Sequence, residues 1–254
     1  MNKRMKKVAI VSAIVAGALI LGAILLGVAN ALFADGAWTL GWKDYRYDED
    51  GYKVGDGSVH AERVTAIDLD WIDGKVLIVP CDDMFISLSE SAEEELPEAA
   101  QLRWRVDADG TLSVKHRKSQ WFFGLGTNNE KELILRIPRK FFDGMQRMSI
   151  ETESASVTIR DVFASTVEIK SENGNIHLEF NECPHSSNVK TENGKVTVLL
   201  SRNADVALTW QTEKGQLSYD LPITAENGRY VLGSGTNQIY VETKKGNLLL
   251  SAHP

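Results

Sequence analysis

The chain has 254 residues, of which 43% are hydrophobic and 25% charged, a composition typical of one or two globular domains with a sizeable core. The formal net charge is −7, and without the four basic residues near the N-terminus the remainder holds 24 basic against 35 acidic residues, a net of −11. A body with this much negative charge is not expected to bind nucleic acid, because such binding requires basic side chains that neutralise the phosphates.

The chain opens with a basic tail and a long apolar segment. Val8–Phe33 contains no charged residue. As an α-helix it would be about 39 Å long, enough to cross the ~30 Å hydrocarbon core of a bilayer. All four basic residues lie in residues 1–7, and acidic residues begin at Asp35. The positive-inside rule therefore predicts a cytoplasmic tail (1–7), a single transmembrane anchor (8–33) in the cell membrane, and an extracytoplasmic body.

A cleaved signal peptide is the alternative for this segment. Ala29–Ala31 (ANA) resembles a signal-peptidase site. Signal peptides usually have an apolar region of about 7–15 residues, shorter than this one, so the length favours an uncleaved anchor. Ala18 with Gly22, and Ala23 with Gly27, give the spacing of small residues that lets membrane helices pack closely.

Residues 34–62 are rich in Gly, Asp and Tyr without a clear period, which predicts a juxtamembrane linker. From 63 to 254 apolar and polar residues alternate, as in half-buried β-strands, and we predict one all-β domain. Ile67, Leu69 and Trp71 should share one face. A turn at Asp109–Gly110 should join two strands. Glu90–Leu102 is either a short helix or a solvated acidic loop.

A six-residue phrase recurs through this domain: SENGNI at Ser171–Ile176, TENGKV at Thr191–Val196, TEKGQL at Thr212–Leu217 and TKKGNL at Thr243–Leu248. Two weaker copies lie further upstream. In the last interval the segment Asp220–Asn237 is extra, and we interpret it as a longer loop. The equivalent small residues of the six copies are Gly74, Ala155, Gly174, Gly194, Gly215 and Gly246.

A period near 20 residues predicts a β-solenoid, in which each coil is a strand, a corner and a second strand. Stacked coils bury a continuous core and pair their backbones about 4.8 Å apart. We expect the glycine to supply a left-handed backbone conformation at the corner, and the Ser or Thr three residues earlier to bond the turn. A meander of ordinary hairpins is the alternative, because the same phrase suits a hairpin loop.

Neither the cysteines nor the other reactive residues form a recognisable site. Cys81 and Cys183 would lie at least two coils apart, on the order of 10 Å, which exceeds the reach of a disulfide. Asp68 and Asp70, with Asp82–Asp83, are the acidic pairs that a polysaccharide-cleaving β-helix would need, but outward acids on a strand usually serve solvation. We expect no metal, no cofactor and no enzymatic activity.

The aromatic segment within Lys118–Glu132 is the strongest candidate for a contact surface. Trp121, Phe122 and Phe123 are consecutive in an apparent loop, with basic neighbours on the N-terminal side. They would either contact a membrane or a partner protein, or cover one open end of the solenoid core.

Together the anchor, IDLDWIDGKVLI (Ile67–Ile78), LILRIP (Leu133–Pro138) and the TENGKV corners resemble the bacterial "putative adhesin" family, domain of unknown function 4097. The resemblance covers Val64 to the C-terminus. It implies a β-solenoid-like fold in the cell envelope and brings no catalytic residues. We therefore expect a membrane-anchored, non-catalytic binding or scaffold module with an unidentified envelope partner. The alternatives are an accessory of an envelope-stress signalling system and, last, a polysaccharide-active enzyme.

Overall fold

A computed structural model of the chain describes residues 42–123, 130–226 and 228–253, so the predicted anchor at 8–33 lies outside the described residues. The described part is built from strands, with 3-10 turns at Ala61–Arg63, Glu98–Ala100 and Arg139–Gly144. In chain order the strands are β1 (Trp42–Tyr45), β2 (Lys53–Val54), β3 (Gly57–His60), β4 (Ala66–Trp71), β5 (Lys75–Cys81), β6 (Phe85–Ala92), β7 (Arg103–Val106), β8 (Thr111–Lys115), β9 (Gln120–Phe123), β10 (Lys131–Pro138), β11 (Arg147–Thr152), β12 (Ser156–Arg160), β13 (Thr166–Ser171), β14 (Ile176–Phe180), β15 (Ser186–Thr191), β16 (Val196–Leu200), β17 (Val206–Thr212), β18 (Leu217–Tyr219), β19 (Thr224–Glu226), β20 (Arg229–Leu232), β21 (Asn237–Thr243) and β22 (Leu248–Ala252).

The described residues fall into two units. The smaller one contains a two-stranded antiparallel sheet in which β1 pairs with β9, so that Trp42 lies opposite Phe123. In it the backbone N–H of Tyr47 donates to the hydroxyl of Ser119 at 3.2 Å. The larger unit, residues 49–118 and 130–253, contains a nine-stranded and an eleven-stranded sheet.

The larger unit is β-solenoid-like. Each coil has one strand in the eleven-stranded sheet, a corner, and one strand in the nine-stranded sheet; β13 and β14 form one such coil. Neighbouring coils pair in parallel and in register, so Ile150 lies between Leu69 and Ile169. Parallel pairing cannot arise from hairpins, which join antiparallel strands. The hairpin-meander alternative is therefore wrong for the repeated coils.

Alternation of side chains builds the core between the two sheets. Ile67, Leu69 and Trp71 on β4 and Ile78 on β5 are fully buried, as the sequence predicts. Because coils are in register, each inward position stacks on its equivalent in the next coil. Full burial of such a side chain contributes about 1.5–3 kcal/mol relative to exposure. The core is thus one continuous column of apolar side chains.

The coils do not stack in chain order. The last coil, β21–β22, lies between β15–β16 and β17–β18, since β21 pairs in parallel with both β15 and β17. The segment Asp220–Asn237 allows this rearrangement. It contains the β19–β20 hairpin, which extends the eleven-stranded sheet beyond β17. This segment is more than the loop that its sequence suggests, because its buried Leu221 and Leu232 join the core.

The corner glycines line one edge of the stack, in the order Gly174, Gly194, Gly246, Gly215. None of these four has a positive φ, so the predicted left-handed conformation is wrong for them. The left-handed conformation is present at Gly74, whose φ is +83°. At the other four corner glycines a Cβ would collide with a backbone carbonyl of the preceding coil in the stack. At Gly174, for example, it would collide with the carbonyl of Ala155.

The hydroxyl residue of the phrase bonds the corner in two coils. The hydroxyl of Ser171 accepts the backbone N–H of Gly174 at 2.9 Å. The hydroxyl of Thr243 donates to the carbonyl oxygen of Gly246 at 2.9 Å. Both side chains are buried, so these bonds satisfy polar groups that water does not reach.

Antiparallel strands complete the end of the stack nearest the N-terminus. β6 pairs with β10 and β3, and β7 pairs with β8 and β2. The predicted turn is present, with Gly110 at φ +85°. Residues 49–62, part of the predicted linker, belong to this unit: Gly57 to His60 pair with β6 because the apolar Val59 is buried there. Glu90 to Ala92 extend β6, and only Glu98–Ala100 is helical in the acidic segment.

Cys81 and Cys183 are both free thiols, as predicted. Burial raises the pKa of Cys183 to about 11, so this thiol stays protonated and unreactive at neutral pH.

The close approach at the corners predicts a specific cost. Replacing Gly194 by Ala should lower the free energy of unfolding by about 1–3 kcal/mol, because the added methyl group forces neighbouring coils apart. Gly194→Asn should cost at least as much, although Asn tolerates a left-handed conformation. Denaturant unfolding of the full-length chain measures both.

Gly144 provides the matched control, since its φ is not positive and a Cβ there would meet open space. Gly144→Ala should be neutral or stabilising by up to about 1 kcal/mol. Equal stability of the Gly194→Ala and Gly144→Ala variants would contradict the close-approach explanation.

Candidate functional site

The outward face of the eleven-stranded sheet, here called the charged face, carries a row of ionic side chains along its edge at the corners. Register between coils places equivalent residues beside each other at about 4.8 Å, and the alternation of the strands turns them away from the core. The row nearest the corner contains, in stacking order, Lys115, Asp70, Glu151, Lys170, Lys190, Glu242 and Gln211.

Opposite charges pair between coils along this row. Lys115 lies 3.3 Å from Asp70, and Lys190 lies 2.9 Å from Glu242. The hydrogen bond between the second pair raises the pKa of Lys190 and lowers the pKa of Glu242. Such exposed pairs contribute little to stability. Their effect is to hold both signs of charge at fixed positions on the surface.

A shallow groove of about 450 Å³ runs beside the corners. Its lining has more carboxylates than amines. Lys244, which forms an ion pair with Glu192, lies at the end of the groove towards the last coils, and this pair raises the pKa of Lys244. The lining residues are Asp70, Glu151, Thr152, Glu153, Lys170, Ser171, Glu172, Lys190, Thr191, Glu192, Glu242 and Lys244.

Amide side chains link the corners of adjacent coils. The amide nitrogen of Asn193 donates to the amide oxygen of Asn173 at 2.9 Å, so equivalent residues of adjacent coils bond each other. The side-chain oxygen of Asn175 accepts the backbone N–H of Lys195 at 2.9 Å. The corners therefore form a continuous hydrogen-bonded edge rather than independent loops.

A buried ionic cluster lies at the first coil and was not predicted from the sequence. The ammonium of Lys131 donates to a carboxylate oxygen of Glu90 at 2.7 Å and to the carbonyl oxygens of Ala100, at 2.7 Å, and of His116. The side chains of Lys131 and Glu90 are only 2% and 6% exposed. The ammonium also lies 4.7 Å from the ring centroid of Trp71.

The electrostatics of the cluster indicate a structural role. Burial lowers the pKa of Lys131, which the carboxylate of Glu90 opposes. Burial, and then the charges of Lys131 and Arg117, hold the pKa of His116 well below its usual range, so its ring is neutral. Three acceptors satisfy the three N–H bonds of the ammonium, which leaves it no proton for a ligand. These residues are far apart in the sequence, and no local pattern joins them.

The acidic pairs suggested for catalysis lie on different sheets. Asp68 and Asp70 are on β4, in the eleven-stranded sheet, and Asp70 bonds Lys115. Asp82 and Asp83 follow β5, in the nine-stranded sheet, where a carboxylate oxygen of Asp83 accepts the N–H of Met84 at 2.6 Å. The structure therefore does not unite the four carboxylates around one position.

Trp121, Phe122 and Phe123 do not form the loop that the sequence suggests. Their backbone belongs to β9, paired with β1. Their side chains lie outside the described residues. No group of His, Cys, Asp or Glu side chains in residues 42–123, 130–226 and 228–253 is arranged to hold a metal ion. Within those same ranges no helix combines the length and apolarity that crossing a bilayer requires.

Comparison with known proteins finds one matching family and two similar solved structures. Residues 143–251 match the family described as Toastrack DUF4097. A "putative cell adhesion protein" from Clostridium sporogenes is similar over 79% of this chain and 100% of its own, with a TM-score of 0.61 and 13% identity. A "putative adhesin" from Bacteroides fragilis covers 79% of this chain and 97% of its own, at a TM-score of 0.33 and 12% identity. No curated protein matches the sequence.

The Lys131 cluster predicts a large effect of a single substitution. Lys131→Met should lower the free energy of unfolding by about 3–5 kcal/mol, because it leaves the carboxylate of Glu90 buried without its partner. Lys190→Met removes the exposed pair with Glu242 and should cost about 1 kcal/mol or less. Denaturant unfolding compares the two variants, and a Lys131→Met variant no less stable than Lys190→Met would refute the assignment.

Proposed function

We propose that the protein is a non-catalytic binding module of the bacterial cell envelope, as the match of residues 143–251 to the Toastrack DUF4097 family supports. The single observation that carries this proposal is the charged face. It presents ionic side chains of both signs at a fixed spacing across six adjacent strands, from Lys115 to Glu242. A partner with regularly spaced charges, such as an envelope polymer or a protein surface, fits such an array better than a small substrate does.

The groove supports binding rather than catalysis. It is open, its hydroxyl residues Ser171 and Thr191 are buried beneath the charged side chains, and the ionic groups lie in pairs rather than around a common point. A catalytic site needs groups that converge on one reacting atom. A surface of this kind gains affinity by making many weak contacts along its length.

Location at the membrane is the second part of the proposal. The uncharged segment 8–33, with basic residues before it and acidic residues after it, supports a single-pass anchor with a cytoplasmic N-terminus. The body would then face the extracytoplasmic side, where an envelope partner is accessible. Trp38 and Trp42 follow the segment in the sequence, and indole rings favour the membrane–water interface.

Cysteine labelling in intact bacterial cells tests the location. In a Cys81→Ser background, Asn188→Cys on the exposed charged face should react with a membrane-impermeant maleimide, while Asn2→Cys should react only after lysis. The buried Cys183 stays as it is. Labelling of Asn188→Cys only after lysis would overturn an extracytoplasmic body.

A second candidate is an accessory of an envelope-stress signalling system. Two features of the sequence favour it: the small-residue pairs Ala18–Gly22 and Ala23–Gly27, suited to packing against another membrane helix, and the aromatic triplet Trp121–Phe123. In this case the contact would run through a discrete membrane protein rather than through the charged face.

Photo-crosslinking in cells separates the two candidates. With a photoreactive residue at position 170, on the charged face, we expect crosslinks to an envelope component that a Lys190→Glu variant weakens. With the same residue at position 122, the signalling candidate predicts one discrete crosslinked membrane protein. Crosslinks at 122 alone would replace the first proposal with the second, and no crosslink at any position would remove both.

A further inference from the structure

The outward face of the nine-stranded sheet differs sharply from the charged face. In its central row, side chains of adjacent strands lie in register, and they are aliphatic, hydroxyl or imidazole groups. None of them is fully exposed, and none carries a fixed charge. We call this row with its neighbours Val79 and Leu199 the aliphatic face. The central row is Ile134, Leu77, Thr158, His177, Thr197 and Leu249.

Charges lie only along the two margins of this face. Glu132 and Lys75 are on the margin next to the corners, and Arg136 and Arg160 are on the opposite margin. Glu179, on β14, is an acidic residue on the margin that carries Arg160. Within the chain its carboxylate lies 2.7 Å from the ring of His177 and 3.5 Å from the guanidinium of Arg160. The face therefore has a neutral centre and charged borders, as a protein interface does.

We propose that the aliphatic face packs against the same face of a second copy of this chain, about a two-fold axis that runs along the stack. Such an axis turns each strand onto its own copy, antiparallel to itself, with Leu77 opposite Leu77 and Thr158 opposite Thr158 of the partner subunit. Sheets packed face to face lie about 10 Å apart with aligned strands, so side chains of these sizes meet in the middle.

The margins carry complementary charges under this axis. Glu132 precedes Ile134 by two residues and Arg136 follows it by two, so the rotation brings Glu132 opposite Arg136 of the partner subunit. On one strand the two residues are about 13 Å apart, too far to pair within a chain. The other aligned arrangement, with the axis along the central strand β12, would set Arg160 against Arg160 of the partner subunit. The charges therefore select the first axis.

The area of the face suits a weak homodimer. The six strands that carry its central row, about 4.8 Å apart and with about five residues each, give on the order of 500 Å² per copy. The total, about 1,000 Å², lies just below the ~1,200 Å² at which stable interfaces begin. In this dimer the stacks of both copies run in the same direction. Two copies anchored in one membrane could therefore form it, but the interface itself does not require an anchor.

Cysteine crosslinking of the purified full-length chain tests the arrangement. In a Cys81→Ser background, Thr158→Cys should form a disulfide-linked dimer under mild oxidation, because this position lies next to its own copy. Ser149→Cys, on the charged face, is the matched control and should remain monomeric. Monomer from both variants, or equal crosslinking of the two, would overturn the proposal.

Charge reversal tests the axis in the same protein. By analytical ultracentrifugation, Arg136→Glu should weaken the dimer about tenfold or more by placing two carboxylates together, and the double variant Glu132→Arg/Arg136→Glu should restore it. Each melting temperature is measured to confirm the fold. A wild-type chain that stays monomeric, or a double variant no stronger than the single one, would refute the interface independently of cellular location.

Discussion

The structure depends on how closely the backbones of adjacent coils approach at the corner. Parallel pairing continues from the strand into the turn, where the N–H of Asn173 donates to the carbonyl of Glu153 at 2.8 Å and that of Asn193 to the carbonyl of Glu172 at 2.9 Å. A side chain at the following position would push this ladder apart. Glycine is thus required there by its lack of a Cβ, and the buried Ser or Thr before it satisfies the turn.

The same register that imposes glycine at the corner organises the two outer faces. Because coils are in register, a residue of one coil lies beside the equivalent residue of the next. Similar side chains at equivalent positions therefore form rows along the stack. On the eleven-stranded sheet the row nearest the corner is ionic, and on the nine-stranded sheet the central row is aliphatic, hydroxyl and imidazole. One fold thus presents a polar surface suited to charged partners and a neutral surface suited to its own copy.

The sequence predicts the coil but not the order of coils. The alternation around Ile67 and Leu69 and the repeated corner phrase are local, so they identify strands, core and corners correctly. The insertion of β21 between β15 and β17 is a non-local pairing. The residues around Gly246 contain no local pattern that predicts which strands β21 pairs with. The φ of Gly174 could not be predicted either, because a left-handed turn and a close approach both demand glycine.

The Lys131 cluster lies where the row of buried hydroxyl residues at the corners ends. Further along the stack the slot before the corner holds a buried hydroxyl, as in Thr152 and Ser171, but in the first coil it holds Trp71. The second strand of this coil, β5, pairs with β10, which begins at Lys131. The buried ammonium of Lys131 needs hydrogen-bond acceptors and a surface that covers it. The indole of Trp71 covers the ammonium, while Glu90 and two carbonyl oxygens accept its hydrogen bonds. A hydroxyl is too small to seal that space, so the exception in the phrase marks where the regular stack ends.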